Sequence, residues 1–169
     1  TAAAGDESVF VTGDFNEPSH LDWTVRAAVT GRHPLKVAYP TSSLVTAAGF
    51  RDVYRTVNPD EIRTPGDTWT PLTTADDPAD HHDRIDFVYF RGEGVTAADA
   101  AIIGEHQSHA DIVVTPYPSD HRAVVATLKL KHQDDDGPSV LFPGGELVSG
   151  ELHTGAEPDW GFTDELFTI

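Results

Sequence analysis

Three short polar segments stand beside apolar, strand-like stretches of the sequence. Residues 13–16 (GDFN) follow the β-rich run 8–12, residues 83–87 (DRIDF) open the alternating run 84–90, and residues 118–122 (PSDHR) lead into the apolar run 123–130. An acid, an amide and a histidine at strand ends can provide a base, a hydrogen-bond donor and an ionisable ring. Each segment alone is also explained by turn formation or local pairing, but the three together indicate a site that does chemistry.

The acid of the second segment, Asp86, lies inside the strand-like run. A buried carboxylate that loses its partner costs about 3–5 kcal/mol, so Asp86 must be paired. Arg84 or a backbone amide would serve as a purely structural partner, and His121 would then be a satisfied polar residue at a strand edge.

The order of elements predicts a mixed α/β layer with an antiparallel portion. Strand signals occupy residues 8–12, 84–90, 100–103 and 123–130, and helix signals occupy residues 19–29 and 41–48, each after a proline. Two helices between the first strand and the later strands position the three polar segments at strand ends.

Taken together, the three segments resemble the signature of the endonuclease/exonuclease/phosphatase superfamily, which has the deoxyribonuclease I-like fold. Their order and spacing agree with that family, as does Thr68-Trp69-Thr70 on an intervening strand. The resemblance covers about residues 8–131. It implies an α+β fold, a four-layer α/β/β/α sandwich of mostly antiparallel sheets with flanking helices, of which this chain is the C-terminal half.

The resemblance also implies roles for the catalytic residues. Asp14 would orient or deprotonate the attacking water, and Asn16 would donate its amide to a phosphate oxygen. His121 would contact the scissile phosphate, either as a proton donor or as an imidazolium that stabilises the pentacovalent state. Asp86 would bond the other ring nitrogen of His121 and fix its tautomer and orientation.

Two further roles follow from the same resemblance. Asp120 would ligate a divalent cation, Mg²⁺ first, with Mn²⁺ and Ca²⁺ as alternatives, because such ions bridge carboxylate and phosphate oxygens. Trp69 would contact substrate, with His81 and His82 lining the same cleft, although a tryptophan of this kind is as readily part of the core. The implied enzyme is a Mg²⁺-dependent hydrolase of the phosphodiesterase, nuclease or phosphatase type.

The first half of this family's fold has no counterpart in the sequence. Only eight residues precede the GDFN strand, and Asp6 and Glu7 do not form the asparagine, glutamate and histidine or tyrosine pattern of that half. The absence of any Met favours a chain that is trimmed, processed or cut from something longer. We therefore expect an N-terminal half, as a separate fragment or a missing segment, to complete the site, and the isolated chain to be inactive.

Charge divides the sequence near residue 132. Residues 132–169 form an acidic, Gly- and Pro-containing tail with nine acids and no Lys or Arg, which leaves −8 of the total −17 on residues 1–131. An acidic surface disfavours long nucleic acids, so small or lipid phosphoesters are the expected substrates. The absence of cysteine, the acidity, the trimmed start and the acidic tail fit an extracellular, periplasmic or surface location in a bacterium, whereas acidity alone fits a halophile's cytosol equally well.

Several other functions are weighed against this one. No apolar stretch is long enough to span a membrane. A non-catalytic binding or scaffold module that retains the fold is the main alternative, and cation binding with and without Asp120→Ala would discriminate it. A metal-storage site built from the histidines is disfavoured, because His81/His82 and His106/His109 fall in predicted loops without evident supporting residues.

Overall fold

The computed structural model describes residues 7–74 and 76–131, together with residues 145–148, 151–154 and 167–168. The strands are β1 (Val9–Asp14), β2 (Arg51–Asp52), β3 (Asp86–Arg91), β4 (Val95–Gly104), β5 (Ile112–Val113), β6 (Ala123–Leu130), β7 (Gly145–Val148), β8 (Glu151–Thr154) and β9 (Phe167–Thr168). The helices are α1 (Val25–Val29), α2 (Pro40–Ala47) and α3 (Val53–Val57). No described helix has the length and apolar character needed to cross a bilayer.

The strands form mostly antiparallel sheets. The first sheet has the order β1-β3-β2 and the second has the order β5-β4-β6-β9, while β7 pairs with β8 alone. Among the strand pairs of the described residues, β4–β5 alone is parallel. The predicted mixed, mostly antiparallel α/β character is confirmed. The four-layer sandwich and the boundary at residue 132 stay predictions, since most of residues 132–169 lie outside the described residues.

The core lies between the two larger sheets and α3. Strand β3 buries every side chain from Phe87 to Phe90, whereas β4 alternates over its second half. The buried apolar cluster consists of Val53, Tyr54, Val88, Phe90, Val95, Ala100, Ile102, Ala126 and Leu128. Side chains of both sheets therefore meet in one core, which fixes the position of the β3 end relative to the β6 end.

The two helix predictions differ in how well they match the structure. Helix α2 begins at Pro40, which suits a first helical position, and ends before Gly49 at φ 86°, close to the prediction of 41–48. The prediction of a helix over 19–29 is wrong for its first half, because α1 begins only at Val25. Thr24 is its N-cap, and the Thr24 hydroxyl accepts the Ala27 N–H at 3.0 Å.

Candidate active site

Antiparallel pairing brings Asp14 and Asp86 together. In the β1–β3 register, Asp14 at the end of β1 is the partner of Asp86 at the start of β3. The two carboxylates therefore share one end of the first sheet, although 72 positions separate them in the sequence. The prediction that Asp86 lies inside a strand is wrong in detail, since β3 begins at that residue.

His121 completes this group from the segment that leads into β6. Its Nδ1 lies 2.9 Å from Oδ2 of Asp86, and ligand atoms of Asp14, Asp86 and His121 all lie within 4.8 Å of one another. The structure thus brings together three of the predicted catalytic residues. Arg84 is not the partner of Asp86, because its guanidinium bonds Asp22 instead.

The charges around His121 favour its protonated form. Burial lowers the pKa of the imidazole, but the hydrogen bond that the ring donates to Asp86 and the negative charges of Asp86, Asp14 and Asp120 outweigh burial and raise that pKa above the ordinary value. The imidazolium is therefore more populated near neutral pH than in a free histidine. A positively charged ring suits contact with an anionic ligand.

The GDFN turn is held by its aromatic residue. The Phe15 N–H donates to the Ile85 carbonyl at 2.9 Å, and the Phe15 ring packs edge-on against Phe87 and Tyr89. The Asn16 N–H donates to Oδ1 of Asp14 at 2.7 Å, with Asn16 at φ 49°. Asparagine tolerates this left-handed backbone. Asp14 and Asn16 thus remain exposed while Phe15 anchors the turn.

Thr68 and Trp69 connect Asp86 with His121. The hydroxyl of Thr68 accepts the N–H groups of Ile85 and Asp86, each at 3.1 Å, and its carbonyl accepts the Arg122 N–H at 2.7 Å. Trp69 forms isolated β-bridges to Asp83 and His121, so the expected intervening strand is a bridge. Its half-buried ring lies edge-on to His121, with centroids 4.9 Å apart. This placement is compatible with the predicted substrate contact.

Asp120 lies next to the three-residue group but is not part of it. Its backbone carbonyl accepts the Thr70 hydroxyl at 2.8 Å, and its side chain is exposed. Its role as a metal ligand stays a prediction. The carboxylate oxygens of Asp14 and Asp86 are donors that suit Mg²⁺, and their open position leaves room for the waters that this ion retains.

Other polar residues that support the site were missed by sequence reasoning. The Tyr117 hydroxyl lies 2.9 Å from the His121 carbonyl, and the buried Arg122 holds Glu105 and the carbonyl oxygens of Asp67 and Thr70. An arginine immediately after the predicted catalytic histidine was the available signal. The partners of Arg122 lie 17 to 55 positions away, which no local pattern reveals.

The histidines predicted to line the cleft have other neighbours. His82 is buried, with Nε2 3.1 Å from the Thr73 hydroxyl, and His81 pairs with Asp83. An open cleft beside His121 is instead lined by Asp86, Ile103, Val114, Tyr117, Pro118, Ser119, His121, Arg122 and Ala123.

Two carboxylates and a histidine that meet at one sheet end can hold a cation and transfer protons, the chemistry that a phosphoester hydrolase needs. The chain belongs to the endonuclease/exonuclease/phosphatase family, whose family model matches residues 1–121. This confirms the resemblance found in the sequence. An uncharacterised protein of Caenorhabditis elegans, F14F9.5, is 32% identical over 132 residues, which cover 72% of this chain and 40% of that protein. The chain thus spans less than half of the length of that relative. No solved structure matches this chain.

Proposed function

We propose that the chain carries the water-activating and proton-donating side of a metal-dependent phosphoesterase. The observation that carries this proposal is the contact of His121 with Asp86 at 2.9 Å, with Asp14 as the cross-strand partner of Asp86. The substrate is a phosphodiester or phosphomonoester, and water is the attacking group.

The residues divide the reaction between two sides of the phosphorus. Asp14 accepts a proton from water as the oxygen of that water forms the new P–O bond. Asp86 occupies Nδ1 of His121, which leaves Nε2 to donate a proton to the leaving oxygen as its bond to phosphorus breaks. Asn16 stabilises the charge that builds on a phosphate oxygen.

A divalent cation, preferably Mg²⁺, would be held by Asp120 together with the carboxylate oxygens of Asp14 and Asp86. Such an ion supplies positive charge to the phosphate oxygens and orients the ester. The exposed side chains of Asp14 and Asp120 fit an ion that keeps several waters.

Small or lipid phosphoesters are the proposed substrates. The −8 charge of residues 1–131 works against a long polyanion. In addition, the cleft beside His121 includes Val114, and the adjoining Ile112 and Val113 are also exposed, with 46% and 47% of their surface accessible. Exposed aliphatic groups beside a phosphate site suit the apolar part of a lipid ester.

We further propose that turnover needs residues beyond this sequence. The three grouped residues are accessible from solvent, and 60% of the length of the relative F14F9.5 has no counterpart in the match. A further segment that packs over Asp14 would supply additional ligands and exclude water from the ester.

The test compares the 169-residue chain with the product of its complete open reading frame. Each is assayed with Mg²⁺ on plasmid DNA, sphingomyelin and bis(p-nitrophenyl) phosphate, before and after EDTA. We expect turnover only in the longer product, and a loss of about 10²–10⁴-fold in His121→Ala. His106→Ala is the matched control, because His106 is an exposed histidine outside the site.

Two outcomes separate the parts of this proposal. Turnover by the 169-residue chain alone would remove the need for a further segment and leave the chemistry intact. If no form turns over any ester, but calorimetry shows Mg²⁺ binding that Asp120→Ala abolishes, the protein is a binding module and the enzymatic proposal is wrong.

A further inference from the structure

A second cluster of ligand-type side chains shares no residue with the site around His121. It consists of His33, in the loop after α1, and His81 and Asp83, in the segment before β3. One ligand atom from each lies within 4.8 Å of those of the other two. Nothing in the proposed phosphoester chemistry uses these residues, so the cluster needs its own explanation.

His33 is buried with an unused ring nitrogen. Only 4% of its surface is accessible, and its ring stacks on Trp23 with centroids 4.2 Å apart. Within residues 7–74 and 76–131, no hydrogen-bond partner satisfies its Nδ1. Buried polar atoms are nearly always paired. An imidazole with an unpaired nitrogen, in a ring that also brings a ligand atom to a second histidine and a carboxylate, has the chemistry of a metal ligand.

Asp83 is oriented in the way that metal-binding carboxylates are. The Trp23 indole Nε1–H donates to its Oδ1 at 2.7 Å, and its Oδ2 lies 3.2 Å from Nδ1 of His81. Two ligands on a tetrahedral ion with bonds of roughly 2.0–2.1 Å lie about 3.3 Å apart. The hydrogen bond from Trp23 holds Oδ1 of Asp83, as residues that support metal ligands do.

The cations nearest to this cluster are already matched. Arg32 pairs with Asp67, and Arg84 pairs with Asp22 and Asp52. In the part of the chain that the structure describes, the ion pair of Asp83 is with His81, whose side chain is 47% exposed. The Asp83 carboxylate thus has no permanent cation of its own, and the exposed His81 ring gives an ion a route in.

We propose that His33, His81 and Asp83 bind a divalent transition-metal ion of the zinc type, with water at the fourth position. Two imidazoles and one carboxylate favour Zn²⁺ over Mg²⁺, which prefers an all-oxygen shell. The bound ion ties the loop after α1 to the segment that leads into β3. The sequence disfavoured a histidine-based metal site for want of supporting residues, and Trp23 provides that support from 60 positions away.

The test uses the metal-stripped protein and ZnCl₂ as the probe. All variants carry His121→Ala, so that the active-site group contributes no imidazole. Calorimetry and metal analysis after gel filtration measure stoichiometry, and melting temperature is followed with and without zinc. We expect one Zn²⁺ per chain, at least a tenfold preference over Mg²⁺, and a melting temperature raised by several degrees.

His81→Ala should lose the tight Zn²⁺ and the thermal shift, whereas His106→Ala should keep both. His81→Gln, which preserves size and polarity, repeats the measurement should His81→Ala fold poorly. X-ray absorption at the zinc edge should show two imidazoles and oxygen ligands at about 2.0–2.1 Å. The proposal is overturned if the His81 variants bind Zn²⁺ with unchanged affinity. It is also overturned if the His121→Ala chain with His33, His81 and Asp83 intact gives no imidazole scattering.

Discussion

Nδ1 of His121 lies 2.9 Å from Oδ2 of Asp86, its hydrogen-bond partner across 35 positions of sequence. Each residue lies at the end of a strand in a different sheet, Asp86 at the start of β3 and His121 just before β6. The pair therefore forms only when the two sheets pack on their common core. Its protonation reports both the fold and the charge of the site.

Asp86→Asn should lower the pKa of His121. Burial alone depresses that pKa, and the Asp86 hydrogen bond and charge contribute most of what raises it. Because the pKa of the folded state is raised, the pair contributes fully to stability below about pH 6.5, the value for an unperturbed histidine, and the contribution is lost as pH rises through the folded value.

A pH titration of the His121 ring by NMR, on metal-free protein in EDTA, measures this directly. Asp60→Asn is the control, since Asp60 pairs with Arg26 and belongs to another part of the surface. An unchanged His121 titration in Asp86→Asn would mean that Asp14 and Asp120 set the charge of the ring.

Local patterns predicted the strands that carry the site but not the contacts that hold them. The runs at 8–12, 84–90 and 123–130 correspond to β1, β3 and β6, and the segments at their ends converge as expected. The helix predicted over 19–29 was too long, because Asp22 and Trp23 serve distant partners. Asp22 bonds Arg55 and Arg84, while Trp23 bonds Asp83, so their backbone follows those contacts.

Helix α3 escaped prediction for a related reason. Five residues are too few to show helical periodicity, and the N-cap, Asp52, also serves as a cross-strand residue of β2. Its carboxylate accepts the Arg55 N–H at 3.2 Å and pairs with Arg84. Only the three-dimensional arrangement shows that one residue performs both tasks.

Asp22→Asn should strongly destabilise the fold. Its two oxygens bond Arg55 Nε at 2.5 Å and the Arg84 guanidinium at 2.9 Å, and all three side chains are almost completely buried. Removing the charge leaves two buried arginines, of which Arg84 keeps its ion pair with Asp52. We expect a loss of about 3–5 kcal/mol in the free energy of unfolding.

Urea denaturation followed by circular dichroism gives this value. Asp60→Asn serves as the matched control, because it removes an exposed carboxylate from Arg26 and should change the midpoint far less. Equal losses in the two variants would contradict the view that burial makes the Asp22 network important.

Gly66 and Gly31 allow backbone strain to be separated from crowding. Their φ angles are nearly equal, 72° and 75°, in the left-handed region. A Cβ at Gly66 would lie 2.6 Å from Cζ of the buried Tyr54 ring, whereas a Cβ at Gly31 meets nothing within 4 Å. Both alanine variants pay about 1–2 kcal/mol for the backbone, and Gly66→Ala loses roughly 1–3 kcal/mol more through overpacking.

Paired urea titrations of the two variants isolate the packing cost as their difference. The double variant Gly66→Ala with Tyr54→Phe removes the hydroxyl but keeps the clashing ring carbons, so it should recover only part of the loss. Indistinguishable midpoints for Gly66→Ala and Gly31→Ala would show that Tyr54 moves aside freely.

A double-mutant cycle tests whether Asp86 works through His121. If Asp86 only orients the imidazole and raises its pKa, Asp86→Asn lowers kcat in the wild-type background and has no further effect once His121 is alanine. The single His121→Ala loss is about 10²–10⁴-fold. Because His121 must be protonated to donate, the alkaline-limb pKa of the Asp86→Asn rate profile moves to lower pH. The assay uses bis(p-nitrophenyl) phosphate and the product of the complete open reading frame. A further loss in the double variant would instead assign Asp86 a direct contact with a metal ion. One Asp86 oxygen lies within 4.8 Å of ligand atoms of Asp14 and His121, which is compatible with that role.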